Sequence, residues 1–146
     1  MKKIALVIAV LAAAVVVQAQ TAKETKQMLE WKAYLTDASQ SYMKTAKDKC
    51  GFDIPVTMEP KFAAPFMTAN ANAASYCDTP RSALSSLCDD PTYKAAIVKK
   101  VKKISCKLGK PDEKSLKFNG TEVIFTVGVS ASNLDEAAKK FFEDKL

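Results

Sequence analysis

The chain has 146 residues, with 22 basic and 16 acidic residues, and no histidine. Without histidine there is no Ser-His-Asp or Cys-His catalysis and no imidazole metal site. The formal charge of +6 is mild and does not argue for a nucleic-acid partner.

Lys2 and Lys3 precede an apolar run, Ile4 to Val17, and Val17-Gln18-Ala19 has the small residues a signal peptidase needs. Residues 1–19 therefore read as a cleaved signal peptide. The run is shorter than the roughly 20 apolar residues of a membrane span, so no transmembrane span is expected after cleavage. The expected product is one exported domain over 20–146, periplasmic or secreted, and the short Lys-Lys start reads as bacterial.

Thr21 to Lys49 reads as one long helix. Met28, Trp31, Leu35, Ala38 and Tyr42 draw an apolar stripe on it. The stripe suits core packing, and its spacing also allows a homodimer through residues 28–45. Gly51 is the expected helix stop. Phe52 to Met67 carries Pro55, Pro60 and Pro65 among large apolar residues. The prolines forbid a continuous helix or a central strand, but Ile54, Val56 and Met58 suit an edge strand. The apolar content points to irregular packing over the core, with a ligand groove as the alternative.

Thr68 to Tyr76 reads as a short helix ending at Cys77. Thr79-Pro80 and Asp90-Pro91 each resemble a cap followed by proline at the first helical position, so each opens a further helix. Ile104, Cys106 and Leu108 alternate with Lys103, Ser105 and Lys107, and Leu116 and Phe118 repeat the alternation. Asn119-Gly120 is a hairpin signal with both residues tolerant of positive φ, and Thr121 to Val129 is a third, mostly apolar strand. Ser132 or Asn133 caps a last helix whose face of Leu134, Ala137, Ala138, Phe141 and Phe142 would lie on the sheet. The expected fold is α+β: a long N-terminal helix, two or three short helices, a three-stranded antiparallel meander and a C-terminal helix.

Cys50, Cys77, Cys88 and Cys106 lack the close pairs of a zinc site and read as two disulfides. Four cysteines allow three connectivities. A helix from Thr79 would hold Cys77 and Cys88 about 12 Å or more apart, beyond disulfide reach. Cys50–Cys77 with Cys88–Cys106 is the preferred pairing.

No catalytic residue, metal site or cofactor site is assigned. Ser41-Tyr42-Met43-Lys44 matches the S-x-x-K pattern of serine penicillin-binding enzymes, but the companion elements are missing. Asp89 and Asp90 suit helix capping better than acid–base work. The most distinctive feature is a run of nine lysines at positions 94, 99, 100, 102, 103, 107, 110, 114 and 117, offset only by Asp112 and Glu113. Lys99, Lys100, Lys102, Lys103, Lys107 and Lys110 are the candidate contact residues. The expectation is a non-catalytic binding protein that meets an anionic surface or an acidic protein. Inhibition of another enzyme is the alternative, and a Ser/Lys- or carboxylate-dependent hydrolase is the remoter one.

Overall fold

A computed structural model describes residues 44–59 and 61–146, together with Leu29. All but Leu29 fall in one compact unit, Leu35–Leu146. The leader 1–19, the apolar stripe with its proposed dimer contact, and Ser41 lie outside the described residues. In chain order the elements are a helix over 44–50 (α1), β1 (Val56–Met58), α2 (Ala63–Thr68), α3 (Ala73–Leu87), α4 (Pro91–Lys100), β2 (Lys103–Leu108), β3 (Lys114–Asn119), β4 (Glu122–Val127) and α5 (Leu134–Lys145). The fold is α+β.

Helix α1 ends as its sequence requires. Gly51 takes a φ of +82°, and its N–H bonds the Lys47 carbonyl at 2.7 Å. The greasy Phe52–Met67 segment is packing material: Ile54, Phe62 and Phe66 are fully buried. Val56–Met58 is the edge strand expected there, and Pro65 is accommodated inside α2.

Helix α3 corrects two expectations. Thr68–Tyr76 and the segment from Thr79 are not separate helices. Asn70 has a φ of 54° and interrupts the chain, and Asn72 then caps one continuous helix. Its Oδ1 accepts from Ala74 N–H at 3.0 Å and Ser75 N–H at 3.2 Å. Thr79 does not cap; its hydroxyl donates to the Ser75 carbonyl at 3.2 Å. Pro80 sits inside the helix and offers no N–H to the Tyr76 carbonyl, a defect that costs about 3 kcal/mol in an isolated helix. Burial of Ala74, Cys77, Ala83, Leu84 and Leu87 along the same helix outweighs it. Asp90 caps α4 as expected, accepting from Thr92 N–H at 2.7 Å and Tyr93 N–H at 3.4 Å. At α5 the expected side-chain cap from Asn133 does not form. Asn133 is left-handed (φ 54°) and its side chain caps nothing.

The sheet is not a three-stranded meander. It has four strands in the order β1-β2-β4-β3. β1 pairs parallel with β2, β2 pairs parallel with β4, and only β3–β4 is antiparallel. β4 thus inserts between β2 and β3. Val123, Ile124, Phe125 and Val127 are all buried, so β4 is apolar on both faces and belongs at the centre. β3 alternates lysine and serine with apolar residues and suits an edge. The turn also differs in detail. Asn119 pairs with Glu122 in the ladder, and only Gly120 has positive φ (61°). Loop 109–113 crosses the end of β4 to reach the far edge. Gly109 N–H bonds Val127 O at 3.0 Å, Gly128 N–H bonds Glu113 O at 2.8 Å, and Ser130 N–H bonds Pro111 O at 2.6 Å. Gly128 permits this crossing, because a Cβ there would overlap the Lys110 carbonyl.

Helices α3 and α5 cover one sheet face. Phe118 stacks on Phe141 at 5.5 Å and meets Phe142 edge-on at 6.4 Å. Phe142 is fully buried, and Phe141 is half-buried. Two disulfides staple the layers, but not in the expected pairing. The bonds are Cys50–Cys88 and Cys77–Cys106, with Cα separations of 5.1 and 5.8 Å, in place of Cys50–Cys77 and Cys88–Cys106. The cause is the single helix. Cys77 lies within α3 against β2, while Cys88 at its C-cap meets the end of α1. Lys49–Asp89 at 2.9 Å and Lys94 Nζ to the Lys49 carbonyl at 2.9 Å tie the same corner. Two such cross-links fit an oxidising compartment. Among the described residues no helix is long and apolar enough to cross a membrane.

Candidate interaction surface

The strand register assigns each side chain to a face, because alternate residues point to opposite sides. Ile104, Cys106, Val123, Phe125 and Val127 face the helices. The opposite face carries Thr57 on β1, Lys103, Ser105 and Lys107 on β2, Glu122, Ile124 and Thr126 on β4, and Ser115, Lys117 and Asn119 on β3. On this outer face Thr57, Lys103, Lys107, Ser115, Lys117 and Asn119 are exposed. Ile124, 8% exposed, is its one large apolar residue.

The six lysines singled out by sequence do not form one surface. Lys99 and Lys100 lie in the last turn of α4. Lys100 Nζ donates to the Lys145 oxygen at 3.0 Å and the Leu146 oxygen at 2.9 Å. Lys102 Nζ turns back to the Val98 carbonyl at 2.6 Å. Lys110 sits in the crossing loop, beyond the opposite end of β2, an end that itself lies about 17 Å along the strand from Lys103. Only Lys103 and Lys107 share the open face. The structure adds Lys117 to them, in register with Ile124. Its signal was present in the sequence: it shares parity with Ser115 and Asn119, opposite to Leu116 and Phe118. Lys103 and Lys107 are about 13 Å apart along β2, and Lys117 lies two strands over, about 10 Å across.

A polar network crosses one end of the face. Thr57 Oγ1 and Ser105 Oγ are 3.1 Å apart, Ser105 Oγ donates to Glu122 Oε1, and Lys103 Nζ pairs with the same oxygen at 3.1 Å. The Ser105 hydrogen bond, reinforced by Lys103, holds the Glu122 carboxyl below its ordinary range. Glu122 is therefore a carboxylate at neutral pH, and a weak proton acceptor. A serine nucleophile needs a base with the opposite tendency. Glu122 pairs with Lys103 and its charge also attracts Lys107 more weakly, so Lys107 and Lys117 are the positive charges of the face that form no close ion pair among the described residues.

Two other features resolve into structure. Asp90 caps α4 and Asp89 pairs with Lys49, so the Asp89-Asp90 pair serves the fold. Arg81, the sole arginine, is 1% exposed and pairs with Asp78 one turn earlier on α3. Nothing in the sequence marked this buried pair. Burial raises the Asp78 carboxyl above its ordinary range, against the opposing charge and hydrogen bond of Arg81. Among the described residues no three His, Cys, Asp or Glu side chains assemble as a metal site.

No known protein-family model matches this chain, and neither does any curated protein or solved structure. The fold and the surface define a class by themselves: a disulfide-stapled α+β domain with helices on one sheet face and lysines on the other.

Proposed function

We propose that this is an exported, non-catalytic binding protein that holds an acidic protein against the open face of its sheet. The observation that supports this reading is the outer face itself. Lys103 and Lys107 stand on β2 and Lys117 two strands away on β3, with Glu122, on β4 between them, as the single opposing charge these three strands place on that face. The hydroxyls of Ser105 and Thr126 lie among them and those of Thr57 and Ser115 flank them, ready to hydrogen-bond a polar partner. Lysine gives a field of point charges rather than forked recognition of a phosphate, which suits carboxylates. Among the described residues the face presents no protruding apolar groups of the kind that enter a lipid interface.

The test is salt elution from a carboxylate-bearing matrix. A Lys107→Glu/Lys117→Glu double variant is expected to elute at clearly lower salt than Lys99→Glu/Lys110→Glu, which makes the same charge change away from the face. Equal elution of the two would remove the face from the reading.

A further inference from the structure

The sheet has two unequal edges. β1 is three residues long and lies between Pro55 and Pro60 in the sequence, which blunts it as a template. β3 is six residues long, contains no proline, and pairs with β4 in unbroken register from Lys114 to Asn119. Because Gly128 N–H bonds the Glu113 carbonyl, Ser115, Lys117 and Asn119, of the same parity, make the ladder bonds to β4. Lys114, Leu116 and Phe118 therefore turn their N–H and C=O groups to the outer edge. Among the described residues no backbone group pairs with that edge.

The side chains along this edge specify more than a strand. Leu116 and Phe118, on the helix side, are only half-buried, as is Phe141 of α5 packed against Phe118. They leave an apolar rim on one face of the edge. On the other face Lys117 is exposed between Ser115 and Asn119. Lys114 at the start of the strand places its Nζ on the Ser132 carbonyl at 2.6 Å, and the acidic residues Asp112 and Glu113 fall in the loop before the strand.

We infer that β3 captures an extended acidic segment of a partner protein by strand addition, the segment alternating apolar residues against the Leu116–Phe118–Phe141 rim with carboxylates beside Lys117. This rests on the reading of the protein as a binder of acidic proteins and names how the partner is held. Backbone pairing supplies affinity, and the two unlike faces supply the pattern that is recognised. A second copy of the chain fits the edge less well. Two-fold pairing centred on Lys117 sets lysine against lysine, and pairing centred on Leu116 still brings two lysine-rich stretches together.

The probe is a blocked peptide of alternating glutamate and valine, added to the isotope-labelled, disulfide-intact full chain. The comparison peptides are one of the same composition with its glutamates and valines in separate blocks, and an alternating one N-methylated at every residue, so that neither of its edges can pair. Strand addition predicts that only the unmethylated alternating peptide shifts the Lys114, Leu116 and Phe118 amides and slows their hydrogen exchange. It also predicts that Lys114→Pro, which removes one outward N–H at the strand's first residue, weakens binding more than Lys114→Ala. Equal binding of all three peptides, with shifts confined to Lys103, Lys107 and Lys117, would overturn strand addition and leave the proposed function standing. No binding of any acidic peptide at low salt would overturn both. The same amide shifts appearing with protein concentration alone would assign the edge to a second copy instead.

Discussion

Glu122 links the outer face to the stability of the sheet. Its folded-state pKa is depressed by Ser105 and Lys103, so folding favours its ionised form. A depressed carboxyl contributes stability above its unfolded pKa, and the contribution is lost as pH falls through the folded value. Denaturant titrations should therefore show wild type more stable than Glu122→Gln at neutral pH, with the gap closing in acid. A gap that stays constant from neutral pH into acid would show that the carboxylate is not held by its neighbours. Arg81 makes a different argument. Its guanidinium is nine-tenths or more buried beside Asp78, and a buried charge that loses a carboxylate partner is costly. Asp78→Ala should destabilise the domain by about 3–5 kcal/mol. A loss below about 1 kcal/mol would mean that Arg81 relaxes into water.

The crossing loop and the last helix set the next level of order. The passage of loop 109–113 over the end of β4 leaves no room for a side chain at Gly128. Gly128→Ala should cost about 1–3 kcal/mol by overpacking against backbone that cannot yield as a side chain does. Gly120, where a Cβ would meet nothing, carries only the left-handed backbone penalty of roughly 1–2 kcal/mol. Helix α5 anchors through Phe142 rather than Phe141. Phe142→Ala should cost about 3–5 kcal/mol, and Phe141→Ala less, because its ring is only half withdrawn from water. Urea unfolding of the four variants measures all of these, and equal losses at 141 and 142 would contradict the docking of α5.

The two cross-links divide the work of the whole molecule. Cys50–Cys88 spans 38 residues of sequence and fixes the end of α1 to the end of α3, while Cys77–Cys106 spans 29 and fixes the middle of α3 to the sheet. Each should stabilise the domain by about 2–4 kcal/mol. Thermal melts with and without reductant should differ sharply, and peptide mapping of the unreduced protein should return these two pairs. An unchanged melt would show that the cysteines are not bridged.

The class of the fold, the closing helix, the Asp90 cap, the Gly51 stop and the use of all four cysteines in disulfides were legible because each follows from local chemistry or period. Parity along β2 and β3 already held the outer face, since Lys103, Lys107 and Lys117 all oppose the apolar residues. What the sequence left open was which elements are neighbours. The Thr79-Pro80 signal is a good local cap, but burial of α3 on almost every side overrode it. That merger moved Cys77 against the sheet and reversed the disulfide pairing. The strand order was decided the same way. Asn119-Gly120 fixes which two strands form a hairpin, but only the need to bury both faces of β4 sends it between β2 and β3. Periodicity is a property of one segment. Adjacency depends on the competition of all segments for one core, and tertiary packing alone resolves it.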